Sequence, residues 1–220
     1  MARSVDDILR DARATFETAQ LGLDDLDSAD GPRRFAGARN VAVFGRSVTF
    51  VIQNLNGKVA GFEDWYGPIQ ERMKGDPVMG YFLELRNRIL KQGSLPTTTR
   101  VIVAELDAGD TRPWGRPPRG AISRFIGDEY GGSGWMVELS DGSTIPYYVK
   151  LPSDKVRVEQ FFAEIPVKFE EAVSERPLEE LAKEYLAKMA EILSSCEKEF
   201  GPKSKTAPAS QRSPYLKRIK

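Results

Sequence analysis

Apolar residues recur along this chain at two different periods. In residues 4–27, Val5, Ile8, Leu9, Ala12, Phe16, Ala19 and Leu23 are spaced at three- and four-residue steps, which predicts an amphipathic helix. Ser4 stands at the N-cap position, and Asp6 and Asp7 fall in the first turn, where the helix dipole favours anions. Asp30-Gly31-Pro32 interrupts the pattern. A second helix is predicted over 32–59, where Ala38, Val41, Ala42, Phe44, Val48, Val51, Ile52 and Leu55 make an apolar face wide enough for the centre of a bundle. Gly45 inside it marks a weak point or a close helix approach. Trp65, Ile69 and Met73 predict a third helix over 62–74. Asp76 suits an N-cap and Pro77 the first position of a fourth helix. That helix carries Val78, Phe82, Leu85 and Ile89 on one stripe and stops at Gly93, ahead of Pro96.

Beyond Pro96 the period shortens. Residues 100–106 are β-branched and apolar and read as a strand. Residues 135–139 alternate, Asp141-Gly142 offers a tight turn, and 144–151 return, which predicts a hairpin. Between them, residues 111–124 carry four arginines (112, 116, 119 and 124) and three prolines and read as a loop or a short ordered excursion. Its cations suit a phosphate, or the loop is simply solvated. Residues 155–174 fit strand or helix. Pro177 opens a last helix to Phe200 with Leu178, Leu181, Tyr185, Leu186, Met189, Ile192 and Leu193 on one face, closed by Gly201-Pro202. The expected fold is mainly α: an antiparallel helical bundle (1–99), a small antiparallel β insert (100–174), a C-terminal helix packing on the bundle (175–200), and a basic tail (201–220).

Charge changes this picture at one end. Formal net charge is zero, but residues 201–220 hold Lys203, Lys205, Arg212, Lys217, Arg218 and Lys220 and no acid, leaving the body at −6. The body is thus no generic polyanion binder. The tail suits nucleic acid or an acidic partner, or is a disordered, solvated segment. The apolar fraction of 40% and charged fraction of 29% are those of a chain with one real core. The single Cys196 rules out an intrachain disulfide and lies on the apolar side of the last helix, as a small core residue would. Asp6, Asp7 and Asp11 interrupt any leader-like apolar run, and no stretch approaches the ~18 apolar residues of a membrane span. A cytoplasmic protein without membrane contact is expected.

The chain has no histidine. That removes the usual general base near neutrality, the commonest metal ligand and every Ser-His-Asp or Cys-His arrangement. No metal or other cofactor is expected, and any chemistry falls to Lys, Arg, Asp, Glu or Tyr.

The one motif with chemical character is Leu85-Arg86-Asn87-Arg88-Ile89-Leu90-Lys91-Gln92-Gly93, at the C-terminal end of the fourth helix. Asn87 and Lys91 are neighbours at a four-residue step, and the long side chain of Arg86 reaches across, giving a donor-rich cluster suited to an anion. A solvated helix end with Arg88 and Lys91 complementing the dipole is the plain alternative. The run Arg-Asn-x-x-x-Lys, preceded by Tyr81-Phe82-Leu83-Glu84-Leu85, resembles the Arg-Asn-x-x-x-His signature of the HEPN superfamily, with Lys91 in place of histidine. The resemblance covers the helical organisation of residues 1 to about 95 and six residues of motif. It implies a homodimeric helical bundle in which two motif helices meet in a metal-independent site for RNA or a nucleotide. It also implies Arg86 as phosphate binder and Asn87 as the orienting polar residue.

Lysine at the histidine position impairs base-dependent attack by a ribose hydroxyl, because an amine is protonated near neutrality unless strongly desolvated. Gly93 stands where toxin-type members carry a tyrosine. The expected function is therefore a HEPN-like dimer binding an anionic ligand through Arg86, Asn87 and Lys91, with Arg116 and Arg119 as further contacts, and without ordinary ribonuclease activity. The alternatives are a metal-independent ribonuclease using Lys91, with Glu84 or Tyr81 as base, and a non-catalytic interaction module.

Overall fold

The computed structural model describes residues 3–28, 30–104 and 111–202. The chain is mainly α, with small antiparallel sheets. Helix α1 (Val5–Ser28) begins at a capping box. The Ser4 hydroxyl accepts from the Asp7 N–H at 3.1 Å, and the Asp7 carboxylate accepts from the Ser4 N–H at 3.2 Å. Bonds from Ser4, its hydroxyl's first, lower the Asp7 carboxyl to about 2. Helix α2 (Gly31–Ile52) folds back along α1. The two backbones touch at glycines: a Cβ on Gly37 would stand 2.5 Å from the Gly22 carbonyl oxygen.

The second helix ends earlier than its apolar pattern predicts. A 3₁₀ turn, Gln53–Leu55, follows Ile52. Asn54 turns its amide back onto the carbonyls of Phe50 and Val51, both at 3.0 Å. Such local side-chain bonds compete with helix continuation, so the apolar Leu55 belongs to the core without extending the helix.

Helices α3 (Phe62–Gly75) and α4 (Pro77–Gln92) share Asp76 as the hinge between them. Its carboxylate accepts from the N–H groups of Val78 and Met79, both at 3.0 Å, and takes a bond from Lys188. Burial pushes this carboxyl up, but Lys188 and the two N–H groups outweigh it and hold it below the ordinary range. Gly93 ends α4 with φ 68°, its N–H returning to Ile89.

Residues 155–174 resolve into strand β5 (Val156–Phe162), a 3₁₀ turn Val167–Phe169 and a short helix α5 (Glu170–Val173). Strand β1 (Thr97–Val103) pairs antiparallel with β5, from Thr97 opposite Phe162 to Val103 opposite Val156. This pair is joined to the helices, since Phe162 is buried against Tyr81 and Phe82. The predicted strand starts three residues later, at 100, and Leu106 lies outside the described residues.

The second sheet is a meander of β2 (Ala121–Ile126), β3 (Ser133–Glu138) and β4 (Thr144–Tyr148). The hairpin of β3 and β4 closes at Asp141-Gly142, where Gly142 has φ 82°. Of the two readings of 111–124, the ordered one holds at its end, where strand β2 begins at Ala121. The strand's six residues follow Pro117-Pro118-Arg119-Gly120, whose turn chemistry hides them. The sheet has its own small core of Trp114, Trp135 and Val137.

Helix α6 (Leu178–Phe200) packs on α1, α2 and α4. Tyr185 stacks on Phe82, ring centroids 4.1 Å apart and planes 3° from parallel. Its other edge fills the space over Gly45, where a Cβ would lie 2.5 Å from the ring. Gly45 thus admits an α6 tyrosine. Cys196 is fully buried, and burial pushes its thiol up to about 12. Among the described residues no helix is long and apolar enough to cross a membrane.

Candidate anion-binding site on α4

The Asp76 cap starts α4, and the Gly93 carbonyl at its far end accepts from Arg39 of α2. Between these anchors, Phe82, Leu85 and Ile89 turn inward, and Arg86, Asn87, Leu90 and Lys91 follow round the other side. Arg86 donates from Nη1 to the Asn87 Oδ1 at 3.0 Å. Its guanidinium lies 5.1 Å from the centroid of the Phe50 ring on α2.

Asn87 faces both ways. It holds Arg86 on one side and, with Arg88, Lys91 and Gln92, lines a surface hollow of about 460 Å³ on the other. Arg86 does not line that hollow. The structure therefore joins Arg86 to Asn87 and Asn87 to Lys91 without bringing Arg86 and Lys91 into one pocket. Lys91 is exposed, while Arg86 and Asn87 are half-buried. Arg88 is paired with Glu164, and Glu84 with Lys168.

Sequence reasoning missed Arg46. It sits one helical turn before Phe50 on α2, and its guanidinium lies 5.3 Å from the same ring. Its Nη1 donates to the Thr49 hydroxyl at 2.8 Å and to the Met73 sulfur at 3.6 Å. Arg46 and Arg86 form no ion pair with any described residue, although Arg34, Arg88, Arg100 and Arg176 all do. The Nε atoms of Arg46 and Arg86 are buried without a hydrogen-bond partner among the described residues. Two half-buried cations on one aromatic ring, with unused donors and no ion-paired carboxylate among the described residues, are the complement of an anion. The signal in the sequence is a lone cation inside the apolar run Val41–Ile52, visible only if that run is searched for its exception.

The other candidates lie elsewhere. Arg116 and Arg119 are exposed before β2 and line none of the hollows beside α4. The guanidinium of Arg124 lies over the indoles of Trp114 and Trp135, at 5.4 and 5.8 Å. The tail cations from Lys203 onward lie outside the described residues. Tyr81 is buried, and burial pushes its phenol well above the ordinary range against the pull of Arg88, which suits neither a base nor an acid near neutrality. Among the described residues no three His, Cys, Asp or Glu side chains gather as a metal site would require.

Compared with known proteins, residues 23–114 match the model of a family described as bacteriophage lambda protein ea47. Protein ea47 of Escherichia phage lambda is 41% identical over 51 residues. That match spans 23% of this chain and 12% of the phage protein. No solved structure matches. The family match takes in α2, α3 and α4, and with them Arg46, Arg86, Asn87 and Lys91.

Proposed function

We propose that this chain is a HEPN-like antiparallel helical bundle that pairs as a homodimer and binds the phosphates of RNA or a nucleotide on the Arg86 face of α4. The observation that carries this reading is the pair of guanidiniums, Arg46 and Arg86, sharing the Phe50 ring, neither ion-paired with a described residue. The exposure of the surrounding apolar groups supports pairing. Phe50 is 42% exposed and Leu90 55%, beside Arg86, and a second copy laid on this face would cover both. Two motif helices would then meet, placing both copies of Arg86 in one groove. Lys91, exposed and next to Asn87, adds a point charge at the groove's edge.

The reading is of binding without ordinary ribonuclease turnover. The chain has no histidine, Tyr81 is buried, and Glu84 is held by Lys168. An exposed ammonium at position 91 contacts phosphate and does not accept the proton of a ribose hydroxyl.

Anisotropy of fluorescein-labelled single-stranded RNA, titrated with protein at several salt concentrations, tests this. Wild type should bind, with log K falling linearly in log salt. The Arg86→Ala, Lys91→Ala double variant should bind at least ~10-fold more weakly, its slope shallower by about 0.7 for each phosphate it no longer neutralises. Undiminished affinity in that variant would overturn the site. The same RNA should stay uncleaved over hours.

A further inference from the structure

On the other side of Glu84 and Lys168, α2, α3, α4 and α6 enclose a second hollow of about 370 Å³. Its chemistry is divided. Met73, Met79, Leu83 and Phe169 make an apolar wall. Arg46 and Tyr185 line it as well, with Gln70 and two ion-paired lysines around them, Lys168 on Glu84 and Lys74 on Glu71. The hydroxyl of Tyr185 is buried and has no hydrogen-bond partner among the described residues, in a side chain only 1% exposed. The ring cannot turn away to satisfy it, being held between Phe82 and the backbone at Gly45. The neighbouring Arg46 Nε is likewise unpartnered. The fixed Tyr185 hydroxyl and the Arg46 Nε, both without a partner among the described residues, leave a place beside an apolar wall for an acceptor that carries negative charge. The volume lies within the range of small-molecule sites, at its lower end.

From this geometry we infer that the α2–α4–α6 hollow is a second ligand site, which takes a small amphipathic oxyanion. A phosphate monoester or carboxylate head accepts from the Tyr185 hydroxyl and the Arg46 guanidinium. A single-ring or short branched apolar body lies against Met73, Leu83 and Phe169. This site goes beyond the nucleic-acid face proposed above and shares with it Arg46, whose guanidinium also contacts Phe50.

The test is calorimetric titration of the full chain with phenyl phosphate, benzoate and neutral benzyl alcohol. Phenyl phosphate or benzoate should bind one per chain, and benzyl alcohol at least ~10-fold more weakly. Tyr185→Phe keeps the ring stack and removes only the hydroxyl. It and Arg46→Met, which keeps the apolar stem, should each weaken anion binding at least ~10-fold. Arg86→Ala should leave it within ~3-fold, so a failure of the RNA reading and a failure of this one are separable. No saturable binding of either anion, equal binding of benzyl alcohol, or full affinity in both Tyr185→Phe and Arg46→Met would overturn the inference.

Discussion

Replacing Tyr185 by phenylalanine should stabilise this protein. The ring is fixed on two sides, by Phe82 at 4.1 Å between centroids and by the α2 backbone at Gly45, so phenylalanine occupies the same space without repacking. What disappears is a hydroxyl that is desolvated on folding and gains no partner among the described residues in return. Leaving such a group buried and unpaired costs about 1–3 kcal/mol. Burial is also what pushes this phenol above its ordinary range, against the opposing pull of Arg46 and Arg86, so the group is neutral throughout the useful pH range. No charge is lost with it. The expected gain is about 1–2 kcal/mol, since the hydroxyl also has van der Waals neighbours that the variant gives up. In a domain of this size that corresponds to a rise in Tm of about 2–4 °C per kcal/mol. Urea unfolding followed by circular dichroism, with thermal melts alongside, measures it. A loss of about 1 kcal/mol or more at unchanged m-value would refute the reasoning, because it would mean the hydroxyl has a partner in the folded chain. Coupled to the loss of phenyl phosphate binding, a gain in stability would identify a group retained for a ligand at the expense of the fold.

Three further outcomes follow from other parts of the structure. Asp76→Ala should cost about 0.5–2 kcal/mol, because the cap of α4 is lost, while Asp76→Asn should keep most of it. The Asp76 carboxyl is held below its ordinary value in the folded chain, so its contribution is full above about pH 4 and fades as pH falls through the lowered value. The acid limb of a pH–stability profile should therefore be shallower in Asp76→Asn than in wild type, and an identical limb would contradict the assignment. Gly37→Ala forces a methyl to within 2.5 Å of the Gly22 carbonyl, which can be relieved only by parting α1 from α2; a loss of about 1–3 kcal/mol in denaturant unfolding is expected, and a neutral result would show that the helices do not meet backbone to backbone. Arg124→Ala should lower the stability of the second sheet by about 0.5–1 kcal/mol by uncovering the rings of Trp114 and Trp135, visible as a shift in indole fluorescence on unfolding, and no shift would mean the guanidinium does not lie over those rings.

The helices were legible because each carries its own punctuation. Ser4 with Asp7, Asp76 with Pro77, and Gly93 are local signals that the tertiary structure leaves in place. The strands were less so. Residues 97–99 are three threonines, polar enough to escape an apolar pattern, yet they pair with β5 through Thr97 opposite Phe162. Strand β2 is six residues long and follows a Pro-Pro-Arg-Gly turn, so composition outweighed period. The end of α2 depended on Asn54 bonding back to its own helix, a competition that apolar spacing does not register.

The candidate site was legible to the extent that Arg86, Asn87 and Lys91 share one helix. That Asn87 mediates between the other two, and that Arg86 turns toward Phe50, is a consequence of α2 lying alongside. Arg46 and the Tyr185 hydroxyl acquire their meaning from distant elements, Arg46 from Arg86 on the shared Phe50 ring and Tyr185 from Phe82.

The claim on which the functional account rests is that two copies of α4 face each other across Leu90 and Phe50, bringing both Arg86 side chains into one groove. A cysteine placed at Leu90 reports this directly. Leu90 is exposed, whereas the natural Cys196 is fully buried with its thiol pushed up to about 12 and does not compete for mild oxidant. Under copper–phenanthroline oxidation of Leu90→Cys, the account predicts rapid conversion to a disulfide-linked species of twice the 24.6 kDa chain mass, slowed by prior saturation with single-stranded RNA. A product that remains at the mass of one chain, at protein concentrations where wild type binds RNA, would contradict it.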